Sequence, residues 1–222
     1  LPSNTQKVFE ILLDKYGPQY WWPGEPWLEI MIGAVLVQST AWKNVELAVE
    51  RLRDAKVLDP KRLLAFGDKQ FEDLIRSAGY FRRKAKRLRS LMELVWSEYE
   101  GSKAAMQAVD TLALRKQLLA VHGIDPETAD AILLYALDQP AFVVDTYMHR
   151  IFARHGWVLG KADYYQLQEH LVHELPVDVK VYNELHALLV QVGKSHCRKT
   201  PICGGCPLQE MLPKNGIVEA CR

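Results

Sequence analysis

No stretch of this chain stays apolar for long. Ile30 to Val37 and Ala131 to Leu137 are its longest apolar runs, far short of the ~20 residues that cross a bilayer as a helix. No membrane span is expected. Charge of one sign is also missing: 28 Lys and Arg stand against 27 Asp and Glu, a formal net charge of +1. A chain-wide field for polyanions is therefore excluded, and any such surface must be local. Leu1 to Asp14 lacks the basic and apolar blocks of a signal peptide, which points to a cytoplasmic location. Internal repeats, low-complexity tracts and any cysteine before Cys197 are absent too, which argues against a solenoid and against a disulfide framework.

What is present is helical periodicity. Of the 222 residues, 49% are apolar, enough for one large domain or two small lobes, each with a core. Apolar residues recur at spacings of three and four in Val8 to Leu13, Val45 to Leu52, Leu88 to Val95, Leu112 to Leu119, Ala129 to Leu137 and Tyr182 to Val192, the pattern of amphipathic helices. Gly and Pro at Pro18, Pro60, Gly67, Gly79, Gly101, Gly123, Pro140, Gly156 and Pro176 punctuate them, leaving short connections. The expected class is all-α.

Four local features carry chemistry. Arg82, Arg83, Lys84, Lys86, Arg87 and Arg89 crowd into ten positions, either a solvated helix face or a strip for phosphates. All four cysteines follow the pattern C-x5-C-x2-C-x14-C at Cys197, Cys203, Cys206 and Cys221. Such clustering in a reducing compartment favours a thiolate metal site over disulfides. Structural zinc and a [4Fe-4S] cluster both satisfy four thiolates, and His196 is an alternative ligand. Leu118 to Leu133 reads as helix, tight turn at Gly123, second helix, with Asp125 suited to the N-cap and Pro126 to the first turn. Amides at such a start can bind a phosphate, although many helical hairpins are packing units only. Lastly, Asp145 follows the apolar run Phe142-Val143-Val144 and precedes a helix. It is either an N-cap or a partly desolvated carboxylate able to stabilise a cationic transition state, and the two roles are compatible.

Together, in this order, these features resemble the helix-hairpin-helix DNA glycosylase superfamily, in its endonuclease III branch, from about Trp21 to Cys206. The resemblance implies two helical lobes: a helical barrel with the hairpin over residues 28–138, and a cluster-bearing lobe of residues 1–27 plus 139–222, with a DNA groove between them. It implies Asp145 of Val-Asp-Thr as catalytic carboxylate and a [4Fe-4S] cluster on the four cysteines. The hairpin of His122, Gly123, Ile124, Asp125 and Glu127 would clamp DNA backbone, with Arg82, Arg83 and Lys84 beside it. Gln38, ending Gly33 to Thr40, would fill the space vacated by a flipped nucleotide; its ordinary role is a helix-terminal amide. The implied partner is double-stranded DNA with a damaged base, bound by a monomer near the nucleoid.

Bifunctional members of that superfamily carry a lysine nucleophile in the second hairpin helix. This chain has Glu127 there and no lysine between Lys116 and Lys161, which implies a glycosylase without lyase activity. Trp21-Trp22-Pro23 resembles the 3-methyladenine DNA glycosylase III subfamily, implying a base pocket from Trp21, Trp22, Trp27 and Leu28. An aromatic face attracts a cationic alkylated purine by about 0.5 to 2 kcal/mol; a Trp pair beside Pro is equally an anchor between packed elements. Two departures stand out. The hairpin has Gly-Ile-Asp where the family has Gly-x-Gly, so Asp125 is expected to adopt the turn geometry, left-handed backbone being tolerable for Asp, and to repel phosphate. The fourteen residues before Cys221 exceed the family's last spacing. A lyase acting on oxidised pyrimidines and a non-catalytic DNA-binding protein are the alternatives.

Overall fold

Start signals written into the sequence set most helix boundaries. The computed structural model describes residues 4–21, 26–173 and 175–218, and every regular element among them is helical. The chain divides into two compact units, Trp22–Ala141 and Leu1–Trp21 with Phe142–Arg222.

The first unit is built around α2 (Trp27–Leu36), whose residues from Ile30 to Leu36 are all buried. A helix apolar on every side must be covered on every side. It is covered by α3 (Trp42–Asp54), α6 (Phe81–Ser97), α9 (Pro126–Ala131) and the π-helical turn Ile132–Ala136 that continues α9. The short helices α4 (Pro60–Ala65) and α5 (Asp68–Leu74) pack on α6. α7 (Lys103–Gln107) and α8 (Thr111–Ala120) lead into the hairpin. Asp59 accepts from Arg62 N at 2.8 Å with Pro60 behind it. Asp110 accepts from Leu112 N at 3.1 Å and Ala113 N at 3.0 Å. Each cap pairs amides that the first helical turn leaves without partners.

The second unit packs α1 (Asn4–Tyr16) and α10 (Thr146–Arg154) against α12 (Val179–Ser195). α11 (Tyr164–Val172) begins with a reciprocal capping box of Asp163 and Gln166. α10 and α12 approach closely because α12 carries Gly193 at the crossing. A Cβ there would fall within the Tyr147 ring, so any larger residue forces the helices apart.

Candidate active site and DNA-contacting elements

Asp145 opens α10. The run before it, Phe142 to Val144, is buried and anchors the chain; Asp145 then takes extended backbone and caps the helix. Its Oδ1 accepts from Tyr147 N at 2.8 Å and Met148 N at 3.0 Å. The cap and the carboxylate are thus one feature, an anion fixed at a positive helix end. Oδ2 lies 3.8 Å from Nε2 of His186 on α12. Burial lowers the His186 pKa, while the Asp145 charge raises it and Lys194 lowers it further. Trp21 presents its ring to His186 edge to face, with centroids 6.4 Å apart. Lys194 Nζ stands 5.1 Å over the Trp21 ring. Of these neighbours only Trp21 is foreseen from sequence; His186 sits 41 positions from Asp145, and no local pattern joins them.

The hairpin between α8 and α9 turns at Gly123, whose φ of +81° requires glycine and where a Cβ would strike the Arg87 side chain. His122 is exposed and the Ile124 side chain is buried, so Ile124 can offer DNA only its backbone. Asp125 departs from the expected turn geometry: its φ is −90° and ψ 171°, ordinary extended backbone, and Oδ1 accepts from Thr128 N at 2.9 Å. The left-handed residue is Gly123, so nothing strains Asp125. Glu127 is exposed in the first turn of α9.

Gln38 lies in the turn after α2 and is engaged with this hairpin. Nε2 donates to Thr128 Oγ1 at 2.8 Å and Gly123 O at 3.2 Å, and Oε1 accepts from Arg87. The amide that would enter a duplex is here the bracket between α2, α6 and the hairpin.

The basic run of α6 splits by helical phase. Arg82 and Arg83 are exposed, Arg82 lying 3.7 Å from Glu72. Arg89 turns to the carbonyls of Leu63, Leu64 and Phe66. Lys84, expected on the DNA side, is corrected to an interior residue: it is 1% exposed and donates to Leu36 O at 2.8 Å and Ala78 O at 2.7 Å. It cannot reach a phosphate.

Trp27 is half-buried and Leu28 buried in α2, with Leu28 among the core residues. Trp22 lies outside the described residues, as does Cys221.

Cys197, Cys203 and Cys206 line one pocket with Arg154, Ile202 and Leu212. Cys206 N donates to Cys203 O at 3.0 Å, and Gly205 takes φ of +77°, so the Cys-Gly-Gly-Cys segment closes into a tight turn. Arg154, itself buried, donates to Cys197 Sγ at 3.3 Å and to the carbonyls of Arg198 and Lys199. A guanidinium is always charged, so Arg154 sets a fixed positive charge beside the Cys197 sulfur. Burial raises the Cys206 pKa, the Leu208 amide lowers it, and the charges of Cys197 and Cys203 raise it again. Among the described residues no group of three or more His, Cys, Asp or Glu side chains is already arranged to hold a metal ion; three cysteines on one pocket are nonetheless the donor chemistry of a thiolate-held group. His196 is tied to Ile202 O at 3.2 Å.

The family model described as HhH-GPD superfamily base excision DNA repair protein matches residues 32–176. An inferred DNA repair glycosylase of Methanocaldococcus jannaschii is 43% identical over 205 residues, covering 92% of this chain and 93% of its own. Endonuclease III of Thermotoga maritima is 29% identical over 181 residues, 81% of this chain and 79% of its own. Among solved structures, H. pylori 3-methyladenine DNA glycosylase bound to 1,N6-ethenoadenine matches with a TM-score of 0.72 at 28% identity, over 84% of this chain and 97% of that one. The chain belongs to the HhH-GPD superfamily of base excision DNA repair proteins, and its family activity is that of a DNA glycosylase.

Proposed function

We propose that the protein is a monofunctional DNA glycosylase that releases alkylated purines from double-stranded DNA by hydrolysis. The observation that carries this reading is the pairing of a capped carboxylate, Asp145, with a hairpin whose second helix bears Glu127 in place of an amine. Without an amine nucleophile no Schiff base forms; water must displace the base and the strand stays intact. Asp145 Oδ2 faces the sugar and stabilises positive charge growing at C1′ as the base departs. His122 to Glu127 hold the DNA backbone through amides of the turn, and Arg82 and Arg83 add cationic contacts to phosphates. Flipping costs a few kcal/mol, least for a damaged base.

Trp21 supports the choice of a cationic base. Its ring already accepts the Lys194 ammonium, and a positively charged purine would take the same π surface in that side chain's place. The relative from H. pylori, a 3-methyladenine DNA glycosylase, points the same way.

Cys197, Cys203 and Cys206 would hold a [4Fe-4S] cluster, with Cys221 as the fourth ligand. When bound, the cluster supplies a cross-link that orders the C-terminal loop. An assay for iron and acid-labile sulfide tests this, and zinc in their place contradicts it.

The substrate reading is tested on duplexes carrying single alkylated, oxidised or deaminated bases, with borohydride present. Free alkylated purine, an abasic site in an uncut strand and no protein–DNA adduct are expected. A borohydride-trapped adduct would make the enzyme bifunctional, and release of no base at all would leave a DNA-binding protein without turnover.

A further inference from the structure

The carboxylate of Asp145 is used asymmetrically. Oδ1 accepts two amides and is committed to the start of α10. Oδ2 is turned toward α12, where His186 Nε2 lies 3.8 Å away, and the His186 and Asp145 side chains are 8% and 13% exposed. That separation is too long for a direct hydrogen bond. It suits a shared third atom, since one water oxygen about 2.8 Å from each fits between two atoms so spaced. The pair is rigidly placed. α10 and α12 touch at Gly193, with the Tyr147 ring where a Cβ would be, and the Trp21 ring closes on the imidazole edge to face.

We propose that His186 is a second catalytic residue of the hydrolysis, accepting the proton of the water that attacks C1′. The proposal rests on the monofunctional reading above. In this step the water oxygen bonds to C1′, and the C1′–N bond breaks with its electron pair going to the base. The water's proton ends on His186 Nε2, leaving an imidazolium beside the Asp145 carboxylate. A cationic alkylated purine thereby departs as the neutral base, and the imidazolium returns its proton to solvent.

The surroundings suit that sequence. Burial keeps the imidazole neutral before reaction, ready to accept; the charged groups acting on it are Asp145, at the start of α10, and Lys194, on α12 itself. Trp21, from the segment after α1, adds an uncharged ring. Once formed, the imidazolium has a carboxylate within ion-pair range, which stabilises it where water is scarce. A chain without a lysine nucleophile needs its water activated, and Asp145, with Oδ1 committed to two amides, has only Oδ2 to offer the substrate.

Single-turnover base release from a duplex bearing one alkylated purine is measured for wild type, His186→Gln and His186→Asn across about pH 3 to 9. Both variants are expected to release base at least about 100-fold more slowly, with unchanged DNA affinity, and to lose the acid limb that wild type shows as the imidazole protonates. A folded variant with near-wild-type rate, or one that keeps the wild-type pH profile, overturns the proposal. Should neither variant fold, the wild-type profile is compared with the His186 titration followed by NMR: an acid limb that coincides with that titration supports the imidazole, and one displaced from it overturns the proposal. A wild-type enzyme that releases no base instead removes the glycosylase reading, whereas activity lost in Asp145→Asn but kept in His186→Gln removes His186 alone.

Discussion

Two helix ends meet at the ammonium of Lys84. The carbonyl of Leu36 closes α2 and that of Ala78 closes the short 3₁₀ turn Arg76–Ala78, and both need donors that the helices cannot supply. Lys84 provides them from α6, so burial of its charge is compensated by two hydrogen bonds to negative helix ends. Burial, helped by the Arg87 charge, brings its pKa down to about 8. The sign of the effect on stability follows. The folded value lies below the unfolded value of about 10.4, so between them the unfolded chain binds the extra proton. Stability attributable to Lys84 is complete above the unfolded value and is lost as pH falls through about 8. Lys84→Met removes this dependence and leaves two carbonyls unpaired, each costing about 1 to 3 kcal/mol. Urea unfolding is expected to show the variant less stable than wild type, with a deficit widening by up to about 3 kcal/mol between pH 8 and 10.4. A constant deficit would contradict the account. The interior place of Lys84 was legible in principle: Lys84, Leu88, Leu91 and Val95 recur at spacings of four, three and four, which puts the lysine on the apolar face. Density of charge in the run masked that phase. His186 was not legible in the same way, because helical phase places it on the buried face of α12 without naming Asp145 as its partner.

At the scale of elements, two glycines set the positions of the chemistry. Gly123 gives the hairpin its left-handed turn and leaves room for Arg87, which in turn holds Gln38 against the hairpin. Gly193 lets α10 seat on α12, and α10 carries Asp145 at its first turn. Gly193→Ala forces Tyr147 and the start of α10 away from α12. Overpacking of this kind costs about 1 to 3 kcal/mol, and a shift of about 1 Å at the carboxylate costs on the order of 100-fold in rate. Thermal unfolding and single-turnover base release are expected to fall together in this variant; a full rate at lowered stability would show that α10 does not set the position of Asp145. Capped helices were the legible part of this level. Asp59-Pro60 and Asp125-Pro126 both begin helices as N-cap and first-turn residues should. The close crossing was not legible, since a glycine within an apolar helix announces no partner.

For the whole molecule, the order of motifs along the chain carried the family while their contacts did not follow from it. Hairpin, Val-Asp-Thr and the cysteine tail could be read in sequence; in the structure the hairpin turns at Gly123, Asp145 caps α10, and Cys197, Cys203 and Cys206 line one pocket. The engagement of Gln38 by Arg87 and Thr128, and of Asp145 by His186, are contacts over 49, 90 and 41 residues that only folding creates. The central claim is that Asp145 drives base release by water alone. The direct measurement uses a duplex with one alkylated purine and compares wild type with Asp145→Asn, a substitution that preserves the cap because Asn is as good an N-cap as Asp. Wild type is predicted to give free base and an uncut strand with an abasic site, and the variant to bind the same DNA and release base at least about 1,000-fold more slowly, about 4 kcal/mol of lost transition-state stabilisation. Base release by the variant at the wild-type rate, or strand cleavage by wild type without added alkali, would contradict it.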